Sequence, residues 1–91
     1  MSTFYHRHPG LRLTNVEGEG IVLHLDTRRY FSVNETGLLI LEALFYPQSA
    51  DELVETVLER YDAAPEYVRE CIVQFLAHCQ GGELIVRHNA E

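Results

Sequence analysis

The periodicity of apolar residues changes abruptly at Asn34, and this change constrains the fold more than any other feature of the sequence. In Tyr30–Val33 the apolar residues Phe31 and Val33 alternate with Tyr30 and Ser32, as on a β-strand with one buried face. From Leu38 to Phe45 apolar residues are almost continuous, as in a helix buried on most sides. Asparagine is a preferred N-cap residue, because its side-chain oxygen accepts hydrogen bonds from the first free backbone N–H groups of a helix. The sequence therefore predicts a strand that leads directly into a central helix.

Three strands are predicted in the N-terminal half of the chain. In the first strand the apolar positions are Leu11, Leu13 and Val16, and in the second they are Ile21, Leu23 and Leu25. This alternation predicts that His24 points away from the core. The third strand, Arg28–Val33, places Phe31 and Val33 toward the core and places Tyr30 and Ser32 on the opposite face. Because the connections are short, the three strands are expected to form an antiparallel meander.

Three helices are predicted in the remainder of the chain. The first extends from about Glu35 to Phe45 and is ended by Pro47. The second starts at a capping box formed by Ser49 and Glu52, and its apolar positions are Leu53, Val54, Val57, Leu58 and Tyr61. The third begins with Pro65 in its first turn and ends at Gly81-Gly82, and its apolar stripe consists of Val68, Cys71, Ile72, Phe75, Leu76 and Cys79.

The order of these elements indicates an α+β fold, in which an N-terminal three-stranded antiparallel sheet is followed by three helices. This arrangement is similar to a winged helix. A chain of 91 residues suffices for one domain, and we expect this domain to span residues 11–86. Residues 1–10 are predicted to be a flexible N-terminal segment and residues 87–91 a C-terminal tail. Leu84–Val86 are expected to add a short strand or to pack as an arm.

Composition disfavours two classes of partner. The formal net charge of −7 disfavours nucleic acid, which attracts basic surfaces. The second and third helices could form a helix-turn-helix, so a winged-helix transcription regulator is an alternative, but the third helix begins with Glu66, Arg69 and Glu70 and is net negative there. No apolar run reaches the roughly 18 residues of a membrane span, and the N-terminus lacks the apolar stretch of a secretory signal. We therefore expect a cytoplasmic protein with no membrane partner.

Side chains suited to catalysis or metal binding are dispersed along the sequence. The five histidines and two cysteines form no Cys-x-x-Cys pair, no His-x-x-x-His pair and no clustered set, so no metal and no cofactor is predicted. Cys71 and Cys79 should lie about 12 Å apart along one helix, which is too far for a disulfide, so both are expected to be free thiols. An enzyme with one of these thiols as nucleophile is an alternative. Because no other catalytic motif is present, we expect no enzymatic activity.

Several segments spread over nearly the whole chain, from about Leu11 to Val86, together resemble the PqqD-like family. They are Val22–Asp26, Arg29–Gly37, Ser49–Leu53, Arg60–Asp62, Val73–Leu76 and Gly81–Ile85. Members of that family resemble a winged helix, bind the leader of a ribosomally made precursor peptide and present its core to modifying enzymes. The resemblance implies β-augmentation, in which the leader adds antiparallel to the third strand and its side chains enter a groove against the third helix.

The resemblance also implies which residues bind the peptide. On the third strand they are Arg28, Arg29, Tyr30, Phe31, Ser32 and Val33, and on the third helix they are Tyr67, Val68, Cys71, Ile72 and Phe75. Packing in the core explains the apolar members of this set, Phe31, Val33, Ile72 and Phe75, at least as well. Tyr30, Tyr67 and Cys71 are the better groove candidates, because the core needs them least.

The segments around the third strand look most like the stand-alone B1-type leader-binding subunits of lasso-peptide biosynthesis. This resemblance rests on Asp26, on the pair Tyr30-Phe31 and on the helix start Asn34-x-Thr36-Gly37. It implies three partners: the leader peptide, a separate leader peptidase, and an ATP-dependent cyclase resembling asparagine synthetase. The pyrroloquinoline quinone member of the family typically has Tyr-Pro-Glu before its third strand, where this chain has no such segment. A PqqD-type peptide chaperone for a quinone-cofactor or another modified-peptide pathway is the alternative.

Overall fold

The computed structural model describes residues 2–90, which form five strands and three helices. In chain order these are β1 (Ser2–Arg7), β2 (Leu11–Val16), β3 (Glu19–His24), β4 (Arg29–Val33), α1 (Glu35–Ala43), α2 (Ala50–Arg60), α3 (Pro65–Gly81) and β5 (Ile85–Ala90). The α+β class predicted from the sequence is confirmed, with antiparallel strands first and three helices after them. Met1 and Glu91, the outer ends of the predicted N-terminal segment and C-terminal tail, lie outside the described residues.

The predicted three-stranded meander is the sheet β2-β3-β4, in which both neighbouring pairs are antiparallel. The register of β3 and β4 runs from Gly20 opposite Val33 to His24 opposite Arg29. Among the described residues, β4 pairs with β3 alone. Its second edge therefore keeps unpaired N–H and C=O groups.

A second sheet joins the two ends of the chain. Strands β1 and β5 pair antiparallel from Ser2 opposite Ala90 to Arg7 opposite Ile85. The sequence predicts a flexible segment and a tail here, but the two ends form strands because each supplies the ladder partners of the other. Tyr5 also exchanges backbone hydrogen bonds of 2.8 Å with Gln48, which ties β1 to the segment before α2. The assignment of residues 11–86 as the recognition domain remains a prediction.

The helices begin where their caps predict. Asn34 Oδ1 accepts a hydrogen bond of 2.8 Å from the Gly37 N–H, and Ser49 and Glu52 form the predicted capping box. The prediction that the first helix reaches Phe45 is wrong, since α1 ends at Ala43 and the Phe45 side chain is 62% exposed. Pro47 disfavours helical backbone at Tyr46, the residue before it, and the chain leaves the helix at the fully buried Leu44. Within residues 2–90, no helix is both long and apolar enough to cross a membrane.

The core lies between the helices and one face of the three-stranded sheet. On β3 this face carries Val22, which is completely buried, and His24, which is 1% exposed. The predicted orientation of this strand is therefore wrong: Ile21 and Leu23 are half-buried on the outer face, beyond which Leu25 is 45% exposed. Burial of the imidazole is possible because His24 Nε2 lies 3.0 Å from the Glu83 carbonyl oxygen and donates to it.

Candidate functional site

Strand β4 presents its open edge next to helix α3. Phe31 and Val33 are half-buried and face the helices, whereas Tyr30 is 72% exposed on the outer face. The alternation predicted for this strand is therefore found. The Arg29 guanidinium lies 5.6 Å from the centre of the Phe31 ring, within cation–π distance and on the same face as that ring.

Two aromatic side chains fill the space between β4 and α3. A Cβ atom at Gly37 would lie 3.1 Å from both Phe75 Cε1 and Val33 Cβ, so the glycine lets the Phe75 ring reach the end of the strand. A Cβ atom at Gly82 would lie 3.2 Å from Phe31 Cε2, so Phe31 packs at the C-terminal end of α3. The strand and the helix therefore run in opposite directions. We call the surface between them, with Phe31 and Phe75 in its floor, the β4–α3 groove.

A cavity of about 330 Å³ continues the groove beyond the end of β4. It is lined by α1, by the C-terminal end of α2 with the connector that follows, and by α3 between Tyr67 and Phe75. All five helix residues predicted to bind peptide line it, namely Tyr67, Val68, Cys71, Ile72 and Phe75. None of the six predicted strand residues lines it. Its volume is at the lower end of the about 300–1,000 Å³ of ligand pockets, which suits side chains better than a large cofactor.

Seven further residues of the cavity wall were not predicted. They are Asn34, Thr36, Gly37, Ile40, Val57, Tyr61 and Ala63. The Tyr61 hydroxyl donates a 2.7 Å hydrogen bond to Glu35 Oε1 and so connects the end of α2 to the start of α1 at this wall. The Tyr61-Asp62 step was part of the resemblance, but helix periodicity assigned Tyr61 only to an apolar stripe. No local pattern indicates that the ends of two helices meet.

The interior of the cavity is apolar and its rim is polar. Val68 and Ile72 are buried, whereas Tyr67 is 66% exposed and Cys71 is also exposed. A hydrogen bond with the Cys71 side chain raises the pKa of Tyr67 above its ordinary value. The phenol therefore stays protonated near neutral pH and is no base for the neighbouring thiol. This arrangement suits the binding of an apolar side chain.

The second thiol is isolated from solvent. Cys79 is completely buried, and burial raises its pKa to about 12. Such a thiol is almost entirely protonated at physiological pH and behaves as a small apolar side chain. Both cysteines are free, as predicted.

Three potential metal ligands meet at a different place, which corrects the expectation of dispersed histidines. One ligand atom each of His8, His24 and Asp26 lies within 4.8 Å of the others. His8 Nδ1 accepts a 2.9 Å hydrogen bond from the Gly10 N–H, which places the ring proton on Nε2, 3.5 Å from Asp26 Oδ2. If His8 Nε2 bound a metal ion, the ring proton would have to sit on Nδ1. It would then point at the Gly10 N–H, and the hydrogen bond would be lost. The hydrogen bonds therefore favour a structural contact between two loops and the buried His24.

Comparison with known proteins shows what the chain is similar to. Residues 19–85 match the family described as coenzyme PQQ synthesis protein D (PqqD). No sequence among curated proteins matches. The structure of TbiB1 in complex with the TbiA(beta) leader peptide is similar with a TM-score of 0.79 at 22% identity, over 94% of this chain and 99% of that one.

Two further solved structures share the fold. A lasso peptide synthetase B1 complexed with the leader peptide has a TM-score of 0.75 at 13% identity, over 90% of this chain and 96% of that one. The PqqD part of Methylobacterium extorquens PqqCD, described as a stand-alone recognition element for ribosomally synthesized and post-translationally modified peptides, has a TM-score of 0.77 at 18% identity, over 91% and 88%. At these identities the likeness establishes the fold.

Proposed function

The chain belongs to the coenzyme PQQ synthesis protein D (PqqD) family, and on this premise we propose that it is a non-catalytic protein that binds the leader segment of a ribosomally made precursor peptide. The observation that carries this proposal is the open edge of β4 beside the β4–α3 groove and its apolar cavity. The proposal is supported by two similar proteins that were solved as complexes with leader peptides, and by a third described as a peptide recognition element.

In the proposed complex the leader adds as a strand antiparallel to β4. Main-chain hydrogen bonds to the open edge provide affinity, and alternate leader side chains enter the groove and provide specificity. The contacts on the strand are made by Arg28–Val33. On α3 they are made by the five predicted residues that line the cavity, with Phe75 in the floor and Tyr67 and Cys71 at the rim.

The pathway we propose is lasso-peptide biosynthesis, in which the loaded protein delivers the precursor to a separate leader peptidase and an ATP-dependent cyclase. The likeness to a lasso peptide synthetase B1 and to TbiB1 supports this choice. A PqqD-type role in another modified-peptide pathway is the second candidate, favoured by the family match over residues 19–85. The class of precursor encoded beside this chain distinguishes the two.

Strand addition is tested by placing an N-methyl group on one leader amide at a time. Every second amide of an added strand faces β4, so we expect affinity to fall at alternate positions, by about 5- to 100-fold for each lost main-chain hydrogen bond. Fluorescence anisotropy of labelled synthetic peptides that tile the leader would measure the effect. A loss without this period of two would exclude strand addition, and absence of binding by every peptide would exclude the proposed function.

The location of the groove is tested by replacing Cys71 with arginine. The larger, charged side chain would occupy the rim of the apolar cavity, and burial of its charge against a leader side chain is unfavourable. We expect Cys71→Arg to weaken leader binding about tenfold or more, with an unchanged melting temperature, because Cys71 is exposed in the free protein. Cys71→Ala is the matched control and should bind within about twofold of the parent. Equal affinity of the arginine variant and the parent would place the leader elsewhere.

A further inference from the structure

The open edge of β4 begins at a basic end. Arg28 and Arg29 are adjacent and exposed, and they project to opposite faces of the sheet. Arg29 lies over the Phe31 ring on the groove face, whereas Arg28 lies beside Leu23 and Tyr30 on the outer face. The side chains of an added strand also project to both faces. At this end a peptide side chain on either face therefore meets a guanidinium group.

The same edge finishes at an acidic end. Glu35 directly follows the Asn34 cap, and its Oε2 lies 3.8 Å from the position of a Cβ atom at Gly18 in the β2–β3 turn. Glu17 belongs to the same turn. Glu19 is the first residue of β3 and lies on its outer face. Glu35 therefore lies beside the Val33 end of β4, where it also accepts the hydrogen bond from Tyr61 at the cavity wall. Glu17 and Glu19 add negative charge on the side of β4 that pairs with β3.

The two ends are separate and open to a ligand. A five-residue strand spans about 17 Å, which exceeds the screening length of about 8 Å at physiological ionic strength. Within residues 2–90 the ion pair between an arginine and a carboxylate is Arg69–Asp51. Neither Arg28 nor Arg29 is engaged in it, and Asp26, the acidic residue of the β3–β4 turn, lies 3.5 Å from His8 Nε2. Each end therefore acts on the nearest charges of a bound peptide.

From this charge polarity we infer the chemistry of the leader that fits the edge. An antiparallel strand on β4 has its N-terminal side beside Glu35 and its C-terminal side beside Arg28 and Arg29. The structure therefore points to a leader whose paired segment has basic residues on its N-terminal side, apolar residues at alternate positions in its middle, and acidic residues on its C-terminal side. This inference rests on the proposed function and adds to it a charge order that selects both peptide and register.

The polarity has a consequence for the rest of the precursor. A leader precedes its core, so the chain beyond the acidic residues leaves the edge at the β3–β4 turn, next to Arg28. The opposite charge order would require a parallel strand, which pairs slightly less well, or a strand that bears like charges at both ends. Charge complementarity contributes mainly to specificity and register, and the groove supplies the apolar contacts.

The test is a selection of displayed random 15-residue peptides on the immobilised full chain. We expect the peptides enriched on the parent to carry basic residues before and acidic residues after their apolar segment. The variant Arg28→Glu/Arg29→Glu should lose the preference for acidic residues on the C-terminal side. Arg12→Glu is the matched control, since Arg12 is an exposed arginine on β2, at the other edge of the same sheet, and it should select the parental pattern.

Affinity provides the quantitative readout. At low salt an enriched peptide should bind the parent about 3- to 10-fold more tightly than the same peptide with its charged residues exchanged end for end, and 0.5 M salt should reduce this ratio toward one. Glu35→Gln should make the affinity depend less on the basic residues on the N-terminal side of the peptide. The melting temperature should stay unchanged, because the amide oxygen still accepts the hydrogen bond from Tyr61. Peptides that bind the groove without a charge order would overturn this inference and leave the proposed function intact. If every enriched peptide binds Cys71→Arg as tightly as the parent, the peptides bind outside the groove, and both the charge order and the proposed binding site are overturned.

Discussion

Replacement of Ser32 by proline should abolish leader binding without unfolding the domain. The Arg28 N–H donates to the His24 carbonyl oxygen at 2.7 Å and closes the β3–β4 turn, so strand pairing starts at His24 opposite Arg29. Backbone groups alternate in direction from that pair onward, and we expect the Ser32 N–H to face the open edge. Proline removes this donor, and its ring obstructs an incoming strand. Because an unsatisfied main-chain group costs about 1–3 kcal/mol, we expect a loss of about 100-fold in affinity, measured by anisotropy with labelled leader.

Ser32→Ala is the matched control, because it removes the hydroxyl and keeps the N–H. This variant should bind within about twofold of the parent, since Ser32 is exposed and its hydroxyl is on the face away from the groove. Circular dichroism and the melting temperature would report whether the proline variant is folded. A folded Ser32→Pro protein with the affinity of the parent would contradict strand addition at β4.

Replacement of His24 by alanine should produce the largest loss of stability. The imidazole is 1% exposed and hydrogen-bonded to the Glu83 carbonyl, so its removal leaves a cavity and an unsatisfied acceptor. Truncation of a buried aromatic side chain costs about 3–5 kcal/mol, which is a large part of a typical total of about 5–15 kcal/mol. In a domain of this size we expect the melting temperature to fall by about 15–30 °C. Urea unfolding followed by circular dichroism would measure the change.

His8→Ala provides the comparison within the same cluster. The His8 side chain is 27% exposed and contacts the His24 ring at 4.5 Å between centroids, so its removal should cost only about 1 kcal/mol. If His24→Ala were no more destabilising than His8→Ala, the link between β3 and the turn after α3 would not be important for stability.

The parts of the fold that depend on local chemistry could be predicted from the sequence. Asn34 and Ser49 start their helices because a side chain meets a backbone N–H three residues later, and such bonds are readable over a few positions. The break between α1 and α2 at Pro47 and the proline at the start of α3 are equally local. The apolar Phe45 continues the helical pattern in the sequence, although the backbone leaves the helix before it.

The features that depend on distant contacts could not be predicted. The alternation of residues shows that β3 has two faces, but it does not show which face is buried. The buried face is the one that carries His24, which donates a hydrogen bond to the Glu83 carbonyl oxygen, 59 residues away. Likewise, β1 exists because β5 pairs with it. The contact of His8 with Asp26 requires the β1–β2 and β3–β4 turns to come together, which no spacing in the sequence indicates.

Of the two walls of the cavity, the sequence indicates the residues of the α3 wall and not those of the opposite wall. The five α3 residues share one face of one helix, so a single assignment of that face places them all in the cavity. The opposite wall combines the start of α1 with the end of α2, and Thr36 and Val57 come together only through helix packing. Tyr30 lies outside the groove on the exposed face of β4, and its contact with leader remains a prediction.

The β1–β5 ladder also has a consequence for the order of folding. It joins residue 2 to residue 90 and thereby closes a loop of almost the entire chain, at an entropic cost of about 4 kcal/mol plus a constant. Contacts of such long range form late, after the hairpins and helices have brought the ends together. The same ladder should then be the first to separate in native-state hydrogen exchange. Its opening would release both ends at once, while the β2-β3-β4 sheet and the helices retain a core of their own.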